Sequence, residues 1–298
     1  MGSCFSEIMG RKLQEQKFSI DSNPLGILYN PVSIHRILRM ALHLEDVQPF
    51  TAEVNGRFVH YDAHSRINGN TAGEVISSVK SRVASVRNRI NKATWLILTY
   101  GTSLVYQLNG RVVGNCHKQP SAIFTRSLMN IEELLEDAGG IIPALLKHNP
   151  KLRIVVTVSP IRHIRDSLEL SSVSKSLLRV YCHELVQRYE QIQYFPSYEL
   201  LMDDLRDYRF YDRDMIHPSS AAEDYIFDKF AMSYFSEETI DLLGEWNKLR
   251  KALEHRPFNP AGEDHRQFLS RTHKRLLEIS GHLDVSTEIQ MIENQLSK

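Results

Sequence analysis

Two short segments carry residue types whose spacing suits nucleophilic chemistry. In Tyr211-Asp212-Arg213-Asp214-Met215-Ile216-His217-Pro218-Ser219, Asp214 stands three residues before His217. At that spacing a carboxylate can hold one nitrogen of an imidazole while the other reaches a nucleophile supplied from elsewhere in the chain. The same four residues also fit a helix-capping aspartate beside a surface histidine, and Pro218-Ser219 signals a helix start. A nucleophile is offered by Met1-Gly2-Ser3-Cys4-Phe5-Ser6. A helical pattern follows over 7–16, which places Cys4 at a turn into a helix N-terminus. Backbone N–H groups and the helix dipole at such a position lower a thiol pKa and can bind a developing oxyanion.

These groups need a scaffold, and the hydrophobic pattern describes one. Continuous apolar runs over 94–100 and 152–158 predict strands buried on both faces, as in a parallel sheet covered by helices. A weaker run, 191–195, predicts a third strand. Stretches 73–90, 131–147 and 172–188 repeat apolar residues every three or four positions, the mark of a helix with one buried stripe. Alternation of the two patterns predicts βαβ units. Asn55-Gly56 and Asn109-Gly110, each between short β-prone runs, predict type I′ hairpins inserted at strand ends. Beyond residue 236 the pattern turns helical (240–253, 265–279, 287–296), with Arg256-Pro257-Phe258-Asn259-Pro260 as a separator. The expected domains are therefore 1–236 and a helical extension, 237–298.

The chain resembles the GSCFA family, named for the motif that Gly2-Ser3-Cys4-Phe5-Ser6 matches, with Ser6 in place of its Ala. Further agreement comes from Asn23-Pro24-Leu25-Gly26-Ile27-Leu28-Tyr29-Asn30-Pro31, Tyr100-Gly101-Thr102-Ser103 and Asn115-Cys116-His117-Lys118. Ser159-Pro160-Ile161-Arg162-His163 and His255-Arg256-Pro257-Phe258 extend it over nearly the whole chain. The resemblance implies a distant branch of the SGNH/GDSL hydrolase-like clan. Its fold would be α/β: a three-layer α/β/α, doubly wound, mostly parallel sheet with a C-terminal helical appendage. Setting the clan's first block on the N-terminal motif puts Cys4 at the nucleophile, with Ser3 the second candidate. Asp214 and His217 match the last block, and Gly26 the glycine donor of the second. The third block, Gly-x-Asn-Asp, falls on Gly101-Thr102-Ser103-Leu104, which lacks the asparagine; Asn115 across the hairpin is the candidate substitute. Loss of one oxyanion donor costs roughly 10²–10³ in rate. The clan's first block follows a central strand, whereas here the motif begins at residue 2. The expectation is a chain that starts further upstream or a sheet with a bare edge and a loose pocket around Cys4.

Other candidates divide between structure and chemistry. Cys116-His117 and Cys182-His183 each place neighbours on diverging faces, so no zinc site is expected, and Cys182 reads as a small core residue. His117 and Asn115 serve either as a polar turn or as a pocket wall. Arg162 and His163 follow the 152–158 strand, at the sheet edge where ligands bind; Arg162 would clasp an anionic group or pair with Asp166. Met1-Gly2-x-x-x-Ser6 also fits an N-myristoylation pattern, a reading outweighed by the chain-long resemblance.

Composition narrows the classes. The 298 residues, 42% hydrophobic, are ample for a core and exclude disorder over most of the length. With 36 basic and 36 acidic residues, no nucleic-acid or anionic-membrane partner is expected. No apolar run approaches the ~20 residues of a membrane span, and Arg11 and Lys12 interrupt any secretory h-region. Three scattered cysteines suit a reducing, cytoplasmic setting. Expected is a hydrolase or acyltransferase acting on an ester of a small polar metabolite or carbohydrate, with no cofactor or metal. The alternative is a binding or scaffold protein that keeps the fold without the chemistry.

Overall fold

The computed structural model describes residues 1–164, 167–255, 257–259 and 262–297. It is a mixed α/β structure of two units, Met1–Gly10 with Asp21–Ile226, and Arg11–Ile20 with Phe227–Lys298. The division falls inside α1 (Cys4–Glu15) and inside the helix Ser220–Tyr234.

In the first unit, α1 is followed by α2 (Pro31–Ala41), the hairpin β1 (Thr51–Val54) and β2 (Arg57–His60), β3 (Asn68–Gly69) and α3 (Ala72–Ile90). Next come β4 (Trp95–Tyr100), β5 (Leu104–Leu108), β6 (Arg111–Val113) and β7 (Thr125–Leu128). The remainder is α4 (Ile131–Gly139), α5 (Ile142–His148), β8 (Arg153–Val158), α6 (Leu168–Arg188), β9 (Ile192–Tyr194), α7 (Ser197–Glu199) and α8 (Ser220–Tyr234).

Among the described residues the strands form three small sheets. β4, β8 and β9 are parallel in that order, with Tyr100 opposite Val158 and Ile154 opposite Ile192. β8 is buried from Ile154 to Val158, as its unbroken apolar run predicts. Orders β1-β2-β3 and β6-β5-β7 are antiparallel. Both Asn-Gly turns have positive φ at each residue (52° and 72° at Asn55-Gly56, 52° and 78° at Asn109-Gly110), the type I′ signature. One core joins α3 (Val79, Val83, Val86), β4 (Leu98, Tyr100), β8 (Val156, Val158) and α6 (Leu178, Cys182, Leu185).

Several elements differ from the sequence expectation. The 131–147 helix is two helices, because Gly139-Gly140 ends α4 and Pro143 sits in the first turn of α5, where a missing N–H costs nothing. α6 starts four residues early, since the Ser167 side chain accepts the Leu170 N–H. α1 likewise starts at Cys4 itself. α2, unread from the sequence, is buried on nearly every side and so has no polar face to reveal its period. Nor is the sheet edge beside the motif bare: residues 1–3 run parallel to β4, with Thr99 N–H donating to Met1 O (3.0 Å) and Ser3 N–H to Thr99 O (3.2 Å).

The second unit holds α9 (Glu237–Glu254), α10 (Glu263–Ile279) and α11 (Ser286–Leu296) around Trp246, Leu249, Leu269, Leu276, Val285 and Ile292. Segment 11–20 belongs to it. Trp246 Nε1 donates to Glu15 O at 2.7 Å, and Lys17 pairs with Glu288 at 2.7 Å. The separator 256–260 lies partly outside the described residues. Among the described residues no helix is long and apolar enough to cross a membrane.

Candidate active site

The carboxyl end of β4 lies beside the N-terminal motif. Gly2 has φ +143°, and a Cβ there would stand 2.1 Å from Thr99 O, so only glycine lets the segment lie against β4. Gly2 N–H donates to Asn23 Oδ1 (2.8 Å), and Gly2 O accepts from Leu28 N–H (3.0 Å). Ser3 is buried, and among the described residues its Oγ has no hydrogen-bond partner. Cys4, half-buried, opens α1 with Sγ 3.5 Å from the Tyr29 hydroxyl. Its thiol does not follow the expectation of a lowered pKa. Burial pushes it up and the Glu7 carboxylate adds to this, against the Tyr29 hydrogen bond and Arg66.

Gly101, just past β4, lies at the seam between Ser3 and Tyr29. A Cβ on it would meet Tyr29 O at 3.1 Å and Ser3 Cβ at 3.3 Å. Gly101 and Thr102 N–H both donate to Tyr29 O, at 2.7 and 3.1 Å. The loop after β8 reaches the same end of the sheet. There the His163 ring lies 5.9 Å from the Tyr29 ring. Arg162 N–H donates to Ile216 O (3.2 Å), its Nη1 to Met215 O (3.3 Å), and its guanidinium stands 4.2 Å over the Tyr211 ring. Arg162 is thus tied to the loop that carries His217; Asp166, its other expected partner, lies outside the described residues.

That loop is organised by Asp214. Its Oδ1 accepts the N–H groups of Ile216 (2.9 Å) and His217 (3.0 Å), and its Oδ2 lies 2.6 Å from His217 Nδ1. The backbone N–H of His217, then its ring, then the Ile216 N–H hold the Asp214 carboxyl down at about 2. A carboxylate accepts only, so Nδ1 carries the proton and Nε2 is left as the basic atom. Among the described residues Nε2 takes no hydrogen bond, and none joins His217 to Cys4.

Two expected oxyanion or pocket residues have other tasks. Gly26 N–H donates to Asn23 O at 2.7 Å, which leaves no amide for an oxyanion. Its φ of +80° and the His64 Cβ, 2.2 Å from where its own Cβ would stand, demand glycine for the turn. His117 is 3% exposed, with both ring nitrogens engaged: Nε2 donates to His60 O (3.0 Å) and Nδ1 accepts from Ser65 Oγ (2.8 Å). Burial lowers its pKa to about 4, so it is a neutral clamp, not a pocket base. Asn115 Oδ1 accepts the His117 N–H at 2.7 Å, closing the turn. Cys182 is fully buried in the core. Among the described residues no three His, Cys, Asp or Glu side chains are placed to hold a metal.

Sequence reasoning missed Tyr29, which lies inside a matched segment but has no local pattern marking it as a thiol partner. It also missed Lys175, fully buried on α6 with Nζ donating to Ser159 O at 2.6 Å, at the root of the Arg162–His163 loop.

Fold and site together define a mixed α/β protein with a thiol at a helix start and an aspartate-oriented histidine in the same unit. The GSCFA family model matches residues 1–230, and that of the GSCFA domain protein, C-terminal domain, matches 246–298; the chain belongs to the GSCFA family. No curated protein and no solved structure matches it.

Proposed function

We propose that the chain is an SGNH-like hydrolase or acyltransferase acting on an ester of a polar metabolite or carbohydrate. The observation that carries this reading is the 2.6 Å contact of His217 Nδ1 with an Asp214 carboxylate already fixed by two backbone N–H groups, with Nε2 unengaged among the described residues. Cys4 Sγ attacks the acyl carbon and its proton passes to His217 Nε2. Collapse of the tetrahedral intermediate expels the alkoxide, which takes that proton, and leaves a thioester on Cys4. Water, or a second alcohol, then attacks the thioester with His217 again as base and releases the thiol. The N–H groups that open α1 and the Asn115 amide are the oxyanion donors of this scheme. Cys4 is preferred to Ser3 because Ser3 is 2% exposed. The clan's three-layer arrangement belongs to the same reading, supported by residues 1–3, β4, β8 and β9 lying side by side in parallel. So does a cytoplasmic location, supported by three scattered cysteines.

The test is turnover of short p-nitrophenyl esters by the full chain, Cys4→Ala and His217→Ala. Turnover that survives His217→Ala sinks the mechanism. A second reading, a binding or scaffold protein, is favoured by the raised Cys4 pKa and the missing Cys4–His217 bond. Thermal stabilisation by a polar ligand without turnover is its expected signature.

A further inference from the structure

The mechanism gives Cys4 a base but names nothing that holds its sulfur. Tyr29 occupies that place, with its hydroxyl 3.5 Å from Sγ. The tyrosine is fixed independently of the thiol. Its carbonyl takes two N–H groups from the end of β4, and the next residue, Asn30, caps α2 by accepting the Ser33 N–H at 2.8 Å. Ser3 and Tyr29 also flank one point: Ser3 Cβ and Tyr29 Cδ1 lie 3.3 and 3.4 Å from where a Gly101 Cβ would stand. Ser3 Oγ, buried there without a partner among the described residues, is a second polar atom at the seam that a bound group could satisfy.

Chemistry decides which atom donates. Burial, then the neighbouring Cys4 and Glu7, push the Tyr29 phenol above its ordinary value, so it keeps its proton where a thiol ionises. The other charged groups acting on the thiol are Glu7, on its own helix, and Arg66, which pairs with Glu7. Neither is hydrogen-bonded to the sulfur.

We propose that Tyr29 is the positioning residue of Cys4: its O–H donates to the sulfur, fixes its direction, and stabilises the thiolate formed when the proton leaves for His217. This rests on Cys4 being the nucleophile. The test follows iodoacetamide alkylation of Cys4 against pH in the full chain, resolved by peptide mass. Tyr29→Phe is expected to raise the reactivity midpoint by about 1 pH unit, the worth of one hydrogen bond to a charged group. 3-Fluorotyrosine at position 29, a stronger donor of the same shape, is expected to lower it. A purely structural tyrosine would not produce that order, and equal midpoints, or a lower one for Phe, overturn the proposal. Should Tyr29→Phe fail to fold, the fluorotyrosine arm decides. Ester turnover measured in parallel keeps the failures apart, because turnover insensitive to His217→Ala ends the acyl-transfer reading without altering the alkylation order.

Discussion

His35 and His217 each meet an aspartate through Nδ1 at 2.6 Å, Asp137 in one case and Asp214 in the other. Around His35 every polar atom is spent. Nε2 lies 2.9 Å from the Tyr100 hydroxyl, Arg39 Nη1 donates to Asp137 at 2.8 Å, and the imidazole is fully buried. Burial pushes the Asp137 carboxyl up, but its bonds with His35 and Arg39 outweigh that and hold it below its ordinary value. The pair joins α2, β4 and α4. The His217 side chain is 39% exposed, and its second nitrogen meets none of the described groups. A histidine–aspartate pair is thus a strut or an acid–base device according to what its other nitrogen touches, and the distance within the pair does not tell them apart.

The comparison breaks most readily at turnover. His217→Ala is expected to lower kcat for p-nitrophenyl esters by roughly 10²–10⁴, the usual worth of a general base, with the thermal midpoint unchanged. An equal loss in folded His35→Ala would erase the distinction. His35→Ala is instead expected to cost about 3 kcal/mol in urea denaturation, from a cavity and an orphaned Tyr100 hydroxyl.

Lys175 extends the contrast to a buried charge. Burial lowers its pKa from 10.5 to about 7, so the unfolded chain binds more protons between those values. Stability should therefore rise by a few kcal/mol as pH goes from about 7 to 10, and Lys175→Met should flatten that slope in denaturation series. The smallest effect belongs to Asp214, whose folded pKa is depressed to about 2. Its contribution is present above its unfolded value, 3.8, and is lost as pH falls through about 2. Asp214→Asn should lower neutral stability slightly, because the group is exposed, and remove that acid-limb loss.

Much of the scaffold was legible because it depends on local pattern. The apolar runs of β4 and β8, the stripes of α3 and α6, and the two Asn-Gly turns are properties of neighbouring residues. α2 was hidden because burial on nearly all sides erases helical periodicity, although Asn30-Pro31 offered a cap and a first-turn proline. The division of 131–147 was written in Gly139-Gly140 and Pro143, and an otherwise continuous apolar spacing masked it.

For the site, the spacing of Asp214 and His217 was enough by itself, because a carboxylate three residues before an imidazole reaches it within one turn of loop. Sequence also put Cys4 at a helix start. Whether those groups are usable was decided by tertiary structure. Gly26 lost its amide to Asn23, His117 lost both nitrogens to His60 and Ser65, and the Cys4 sulfur gained Tyr29, distant in the chain. Hydrogen-bond commitment and burial depend on what the folded chain brings alongside a residue, and no spacing within the segment that carries it records that.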